Sequence, residues 1–143
     1  MAEIENNTLT TKAQPGAFKV AAIEPIEIVP GVNLQLICGD KTMMSFVTIQ
    51  PGAIVPLHSH PHEQMGAGVE GEMLLYIGGL EPEHCHIIRA GDSYLIPGGV
   101  PHSAKPLGDK ACVALDIFSP PREDYVEQFR TLYQKEVPGR AQL

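Results

Sequence analysis

The sequence is poor in basic residues. Ten lysines and arginines stand against 17 aspartates and glutamates, a formal net charge of −7. A surface built for nucleic acid or an anionic membrane needs clustered Lys and Arg, so neither partner is expected. No apolar run is long enough to span a bilayer. Met1 to Gln14 is polar and lacks the apolar stretch of a secretory signal. The cysteines, Cys38, Cys85 and Cys112, are odd in number and have no C-x-x-C spacing. They fit reduced thiols in a cytoplasmic protein. Internal repeats and low-complexity segments are absent as well.

What is present points to β structure. At 143 residues, 43% hydrophobic and 19% charged, the chain suits one domain with a modest core. Fourteen glycines and 13 prolines supply many turns. Val32 to Cys38 alternates apolar and polar residues as a half-buried strand does. Strands are also expected over Ile23 to Val29, Met43 to Gln50, Val69 to Ile77, Ser93 to Ile96 and Ala111 to Phe118, with a short hairpin through Glu81 to Ile88. About eight short strands with turn signals every 8–12 residues suggest a sandwich or barrel. One helix is expected after Ser119-Pro120-Pro121. Glu123 and Asp124 suit its first turn, Tyr125, Val126, Phe129, Leu132 and Tyr133 form an apolar stripe, and Pro138-Gly139 ends it. The expected organisation is an arm over residues 1–21, a barrel over 22–119 and a helix over 120–137.

Two stretches carry the chemistry. In the first, His58, His60, His62 and Gln64 fall at every second position. On a regular strand they share a face and offer up to four metal-competent side chains. In the second, Gly91 to His102, one more histidine follows a turn-rich segment. The two can meet only if the chain folds back through antiparallel strands. His84 and His86, in the hairpin, are expected to be exposed, and Glu63 to be solvated.

These stretches resemble the paired motifs of the cupin superfamily. Gly52, His58, His60, Gln64 and Gly71 match the first motif, with glutamine where the motif has glutamate. Gly91, Pro97, Gly99 and His102 match the second. The resemblance covers about residues 22–118. It implies an all-β, single-domain double-stranded β-helix (a jelly-roll barrel), here with a C-terminal helix, and the ligand set His58, His60, Gln64 and His102. That donor set suits Zn²⁺, with Ni²⁺ or Fe²⁺ as alternatives. Glutamine for glutamate removes one negative charge and makes the metal a stronger Lewis acid. His62 is either a further ligand or a histidine at the strand edge.

Asp116 interrupts an apolar strand, and such a carboxylate needs a partner or a polar cavity. It either pairs with Arg122 or lines the barrel interior as an acid/base; Arg122 could then orient an anionic or enolic substrate. More narrowly, the chain is similar to the cupin-type aromatic polyketide cyclases and to the pectin-degradation cupins that linearise unsaturated uronates. The latter share the segment Leu115 to Asp124 and imply catalytic roles for Asp116 and Arg122. The longer chain favours a metal-dependent cyclase that closes and aromatises a poly-β-keto chain in antibiotic biosynthesis. The alternatives are a uronate-linearising enzyme, a binding cupin without chemistry and an iron dioxygenase. The resemblance also implies a homodimer.

Overall fold

A computed structural model of the protein describes residues 13–140. Most of the expected arm lies outside the described residues; from its remainder, Ala13 bridges to Arg140, and Val20–Ala22 forms a single 3-10 turn. In chain order the strands among the described residues are β1 (Ile26–Val29), β2 (Val32–Cys38), β3 (Met43–Ile49), β4 (Val55–His58), β5 (Glu63–Glu70), β6 (Glu72–Ile77), β7 (Cys85–Arg89), β8 (Ser93–Ile96), β9 (His102–Pro106) and β10 (Cys112–Ser119). A helix, α1 (Glu123–Tyr133), follows. The strands form a six-stranded sheet in the order β1-β2-β3-β10-β5-β8 and a four-stranded sheet in the order β4-β9-β6-β7, with antiparallel pairing throughout.

Period-two alternation sets the inner face. Val32, Leu34, Leu36 and Cys38 on β2, Met43, Ser45, Val47 and Ile49 on β3, and Cys112, Ala114, Asp116 and Phe118 on β10 are buried, and the residues between them are not. The four-stranded sheet adds Met73, Leu75, Ile88 and Ala104 to the same core. A fully buried Leu, Ile or Val contributes about 1.5–3 kcal/mol through the water it sheds. A slip of one residue would turn this whole set outward, so the register is strongly specified.

Several elements differ from expectation. The histidine stretch is not one strand: β4 ends at His58 and β5 begins at Glu63, with a bend between. Pro61 has no N–H to give to a ladder, so continuous pairing fails there. Strand β5 starts six residues before the expected Val69, because its glycines and polar residues give no strand signal. Strand β9, His-Ser-Ala-Lys-Pro, is not among the expected strands, for the same lack of apolar alternation. The helix stops at Tyr133 because Gln134 turns left-handed (φ 57°) and its N–H closes on the Arg130 carbonyl. Of the expected stripe, Tyr125, Val126 and Phe129 are buried, but Leu132 is 61% exposed. The helix packs against β1, and the Tyr133 hydroxyl donates to the carbonyl of Pro25, the residue before that strand, while Leu132 points to solvent.

The tail then folds back. Cys38 N–H donates to the Pro138 carbonyl, and Arg140, buried, pairs in bidentate fashion with Glu123 at 2.9 and 2.6 Å. Strand β5 is held close to its neighbours by glycine: a β-carbon on Gly68 would lie 2.3 Å from the Arg89 carbonyl oxygen.

Gly68→Ala is therefore expected to cost about 1–3 kcal/mol by overpacking, seen as a lower midpoint in thermal unfolding; an unchanged midpoint would show that the two segments part freely. The cysteines give a second test. Burial pushes the Cys38 and Cys112 thiols up to about 11, whereas Cys85 is half-buried. In native protein at pH 8, a thiol reagent should label Cys85 alone, with Cys38 and Cys112 reacting only after unfolding. Equal labelling of all three would contradict this burial.

Candidate metal centre and cavity

Strands β4 and β9 bring the two motif stretches together. They pair antiparallel with His58 directly opposite His102. The bend after β4 lays His60 over the same point, held where Gly99 N–H donates to the His60 carbonyl. A β-carbon on Gly98 would lie 2.3 Å from the Pro61 oxygen, so glycine is needed for that approach. The result is three histidines, His58, His60 and His102, each with one ring nitrogen within 4.8 Å of those of the other two. His60 and His102 are buried, and His58 is half-buried.

The hydrogen bonds select the tautomer. Nδ1 of His58 lies 2.8 Å from the Pro56 carbonyl, Nδ1 of His60 lies 3.2 Å from that of His62, and Nδ1 of His102 lies 2.9 Å from that of Val100. A carbonyl oxygen accepts, so each Nδ1 carries the proton and each Nε2 is left with a lone pair. His102 Nε2 is buried with no partner among the protein atoms. His60 Nε2 stands 3.1 Å from Gln64 Oε1. Two lone pairs facing each other at that distance are stabilised by a shared cation. Burial lowers the His60 pKa and pulls that of His102 down to about 4, which keeps both rings neutral, as ligation requires. The donor set, three imidazoles and an amide oxygen, thus fits a divalent metal ion.

His62 lies beside that cluster but is not one of the three whose nitrogens converge. Its ring centroid is 5.4 Å from that of His60, its Nδ1 is buried without a protein partner, and its pKa is lowered by burial and by Arg122. Among the other histidines, His86 is exposed as expected, while His84 is half-buried beside Glu81.

The cavity beside the histidines has a volume of about 50 Å³, and its lining includes Ser45, Gln64, Tyr94, Asp116 and Arg122. Asp116 does not pair with Arg122. Its partner is Tyr94, whose hydroxyl donates to Asp116 Oδ1 at 2.6 Å. Burial raises the Asp116 carboxyl to about 6, against the lowering effect of hydrogen bonds from Tyr94 and Gln64. Arg122 is instead gripped by Asp124, with Nε and Nη2 donating at 3.0 and 2.8 Å, and its guanidinium lies 4.0 Å over the Tyr125 ring. Its Nη1 is buried without a protein partner.

Tyr94 and Ser45 belong to this site and are not legible as site residues in the sequence. One signal does exist. Gly66 and Gly68 follow Gln64 at period two, so the inward face of β5 is stripped of side chains, which marks room for a large neighbour.

Comparison with known proteins agrees with this architecture. The family described as "Cupin domain" matches residues 45–118, over half of the chain. The Escherichia coli HTH-type transcriptional regulator PuuR is 33% identical over 95 residues, which cover 63% of this chain and 49% of that protein. The chain therefore spans about half the length of the curated relatives it matches. Among solved structures, an RmlC-like cupin from Shewanella frigidimarina superposes with a TM-score of 0.70 at 28% identity, covering 80% of this chain and 99% of that one. KdgF from Halomonas sp. superposes at 0.68 with 24% identity, covering 77% and 99%. The polyketide cyclase RemF from Streptomyces resistomycificus superposes at 0.64 with 18% identity, covering 76% and 81%. With both motifs, the two facing sheets and the histidine cluster in place, the chain is a member of the cupin family.

Proposed function

We propose that this cupin is a metal-dependent, non-redox enzyme that moves a proton on a small keto or enol acid, the chemistry implied by the uronate-linearising resemblance over Leu115 to Asp124. The observation that carries this reading is the narrow cavity of about 50 Å³ with Asp116 and Arg122 in its wall. Sites that enclose a drug-sized ligand run to roughly 300–1,000 Å³. A folded poly-β-keto chain needs space of that order. A six-carbon acid can place its reacting end in the narrow part and leave the rest at the mouth.

His58, His60, Gln64 and His102 would hold the divalent ion, which when bound supplies Lewis acidity towards a carbonyl or hydroxyl oxygen. Arg122 binds the substrate carboxylate. Asp124 fixes one side of its guanidinium, and the unpartnered Nη1 is left to donate. Asp116 moves the proton. With its pKa raised to about 6 by burial, it can both accept and return a proton near neutral pH. For an unsaturated uronate, Asp116 takes the proton of the ring hemiacetal hydroxyl as the ring C–O bond opens to an aldehyde. It then returns that proton to carbon as the freed enolate becomes a ketone. The reaction is an isomerisation that balances with no co-reactant. The mainly apolar remainder of the lining, Leu34, Val47, Ile49, Met73 and Leu75 among it, keeps water from the reacting end. That same lining supports the aromatic polyketide cyclase as the second reading.

Two measurements test the proposal. Elemental analysis of protein purified without added metal should find near-stoichiometric zinc or nickel, lost in His102→Ala and Gln64→Ala and kept in His62→Ala. Retention in Gln64→Ala with loss in His62→Ala would reassign the fourth ligand, and iron with oxygen-dependent turnover would favour the dioxygenase. In the second, an unsaturated uronate and a poly-β-ketone are offered to the metal-loaded enzyme. Uronate turnover is expected, with Asp116→Asn lowering kcat by about 10²–10⁴ and Arg122→Lys acting mainly on KM, by roughly tenfold or more. Turnover of the poly-β-ketone alone would establish the cyclase, and none with either substrate a binding cupin.

A further inference from the structure

Among the described residues, four buried side-chain atoms have no hydrogen-bond partner in the protein: Ser45 Oγ, His62 Nδ1, His102 Nε2 and Arg122 Nη1. Buried polar atoms are nearly always paired, so such atoms point to a partner from outside the chain. Ser45, His102 and Arg122 all line one cavity. His102 Nε2 belongs to the histidine cluster, and Arg122 Nη1 is left for a carboxylate. Ser45 Oγ serves neither.

Ser45 is also the exception on its own wall. Strand β3 lies between β2 and β10 and pairs with both. Its inward row is Met43, Ser45, Val47 and Ile49, and that of β2 is Val32, Leu34, Leu36 and Cys38. Ser45 alone among these carries a side-chain oxygen or nitrogen, and none of its surface is exposed. Its cross-strand neighbours are Leu36 and Asp116. Leucine offers no hydrogen bond. Asp116 is directly opposite, where β-carbons stand roughly 5 Å apart, but its Oδ1 takes the Tyr94 hydroxyl and Ser45 Oγ bonds to neither oxygen. An alanine would pack this apolar wall without burying an idle hydroxyl. The hydroxyl instead borders the cavity, next to the group that moves the proton.

We infer that Ser45 is a further substrate-contacting residue, whose hydroxyl donates to the substrate oxygen from which Asp116 takes the proton. The inference rests on the proposed proton transfer on a keto or enol acid, and it narrows the substrate class to acids that carry a hydroxyl apart from the carboxylate. Arg122 takes the carboxylate, and Ser45 with Asp116 reads the hydroxyl. In an unsaturated uronate that oxygen is the hemiacetal one. It starts as a hydroxyl oxygen and ends as an aldehyde oxygen, and it gains negative charge while the proton leaves. A fixed donor stabilises it most at that moment. Ser45 keeps its own proton throughout, so the isomerisation still balances with no co-reactant.

The test is the steady-state kinetics of the metal-loaded full chain with an unsaturated galacturonate, for wild type and Ser45→Ala, together with metal content and thermal unfolding of both proteins without substrate. Ser45→Ala should lower kcat by about 10–100-fold, somewhat less than the loss of an oxyanion-hole amide. KM should move by less than about threefold, because the contact is strongest while the proton is leaving. Metal content should be equal in the two proteins. The unfolding midpoint should be unchanged or higher, since the substrate-free protein loses only an unpartnered hydroxyl. A kcat within about twofold of wild type at equal metal content would overturn the inference. A loss confined to KM would do the same, by placing the hydroxyl against another part of the substrate. Lost metal, a lowered midpoint or failure to fold would assign Ser45 to the metal centre or the fold instead. Failure of the underlying reading shows in the wild type: without uronate turnover there, the reading falls and the inference with it.

Discussion

A carboxylate inside an apolar barrel wall is the constraint on which the site depends. Asp116 lies on the inward face of β10 between Ala114 and Phe118, 9% exposed. A buried, unpartnered carboxylate is costly enough that it would stay protonated or force the strand apart. The surrounding strands answer with donors. Tyr94 comes from β8 over the gap left by Gly66 and donates to Asp116, and Gln64, on the same strand as that glycine, lines the same cavity. Each of these placements fixes another. The gap at Gly66 sets where the tyrosine ring can lie, and the ring sets where its hydroxyl meets Asp116.

The opposite sheet supplies the other half of the centre by a different device. There the backbone orients the rings. The carbonyls of Pro56, His62 and Val100 each hold an Nδ1, each two residues from the histidine it serves. Local chain geometry therefore selects the tautomer that turns the Nε2 lone pairs inward, and no distant residue is needed. Arg122 stands at the junction of barrel and helix, where Asp124 and the Tyr125 ring hold it. A cation is thus kept close to the centre without neutralising Asp116.

Much of this is legible in the sequence, and the reasons are specific. Strand β2 alternates strictly because one face is buried and the other is not, and that pattern survives in its residue types; β3 and β10 alternate in burial, and their mostly apolar runs mark them as strands. That His58 and His102 come together is implied by the resemblance of the two motif stretches to the cupin pair, and the structure sets them opposite each other. What cannot be read are contacts set by absence. Gly66 and Gly68 look like poor strand residues, yet β5 needs them so that Tyr94 and Arg89 can come close. The small and polar residues of β9 hide a strand that the ladder with β4 and β6 requires. Sequence proximity offers Arg122 as the partner of Asp116. The actual partner, Tyr94, lies 22 residues back, because cross-strand rows join residues that sequence distance separates.

The central claim is that three Nε2 atoms and one amide oxygen hold a single divalent ion. The most direct test is the X-ray absorption spectrum of the zinc-loaded protein at the zinc edge. The account requires a first shell of nitrogen and oxygen near 2.0–2.2 Å, with outer-shell scattering from three imidazoles and no sulfur. A sulfur ligand near 2.3 Å, or scattering from fewer than three imidazoles, would contradict it.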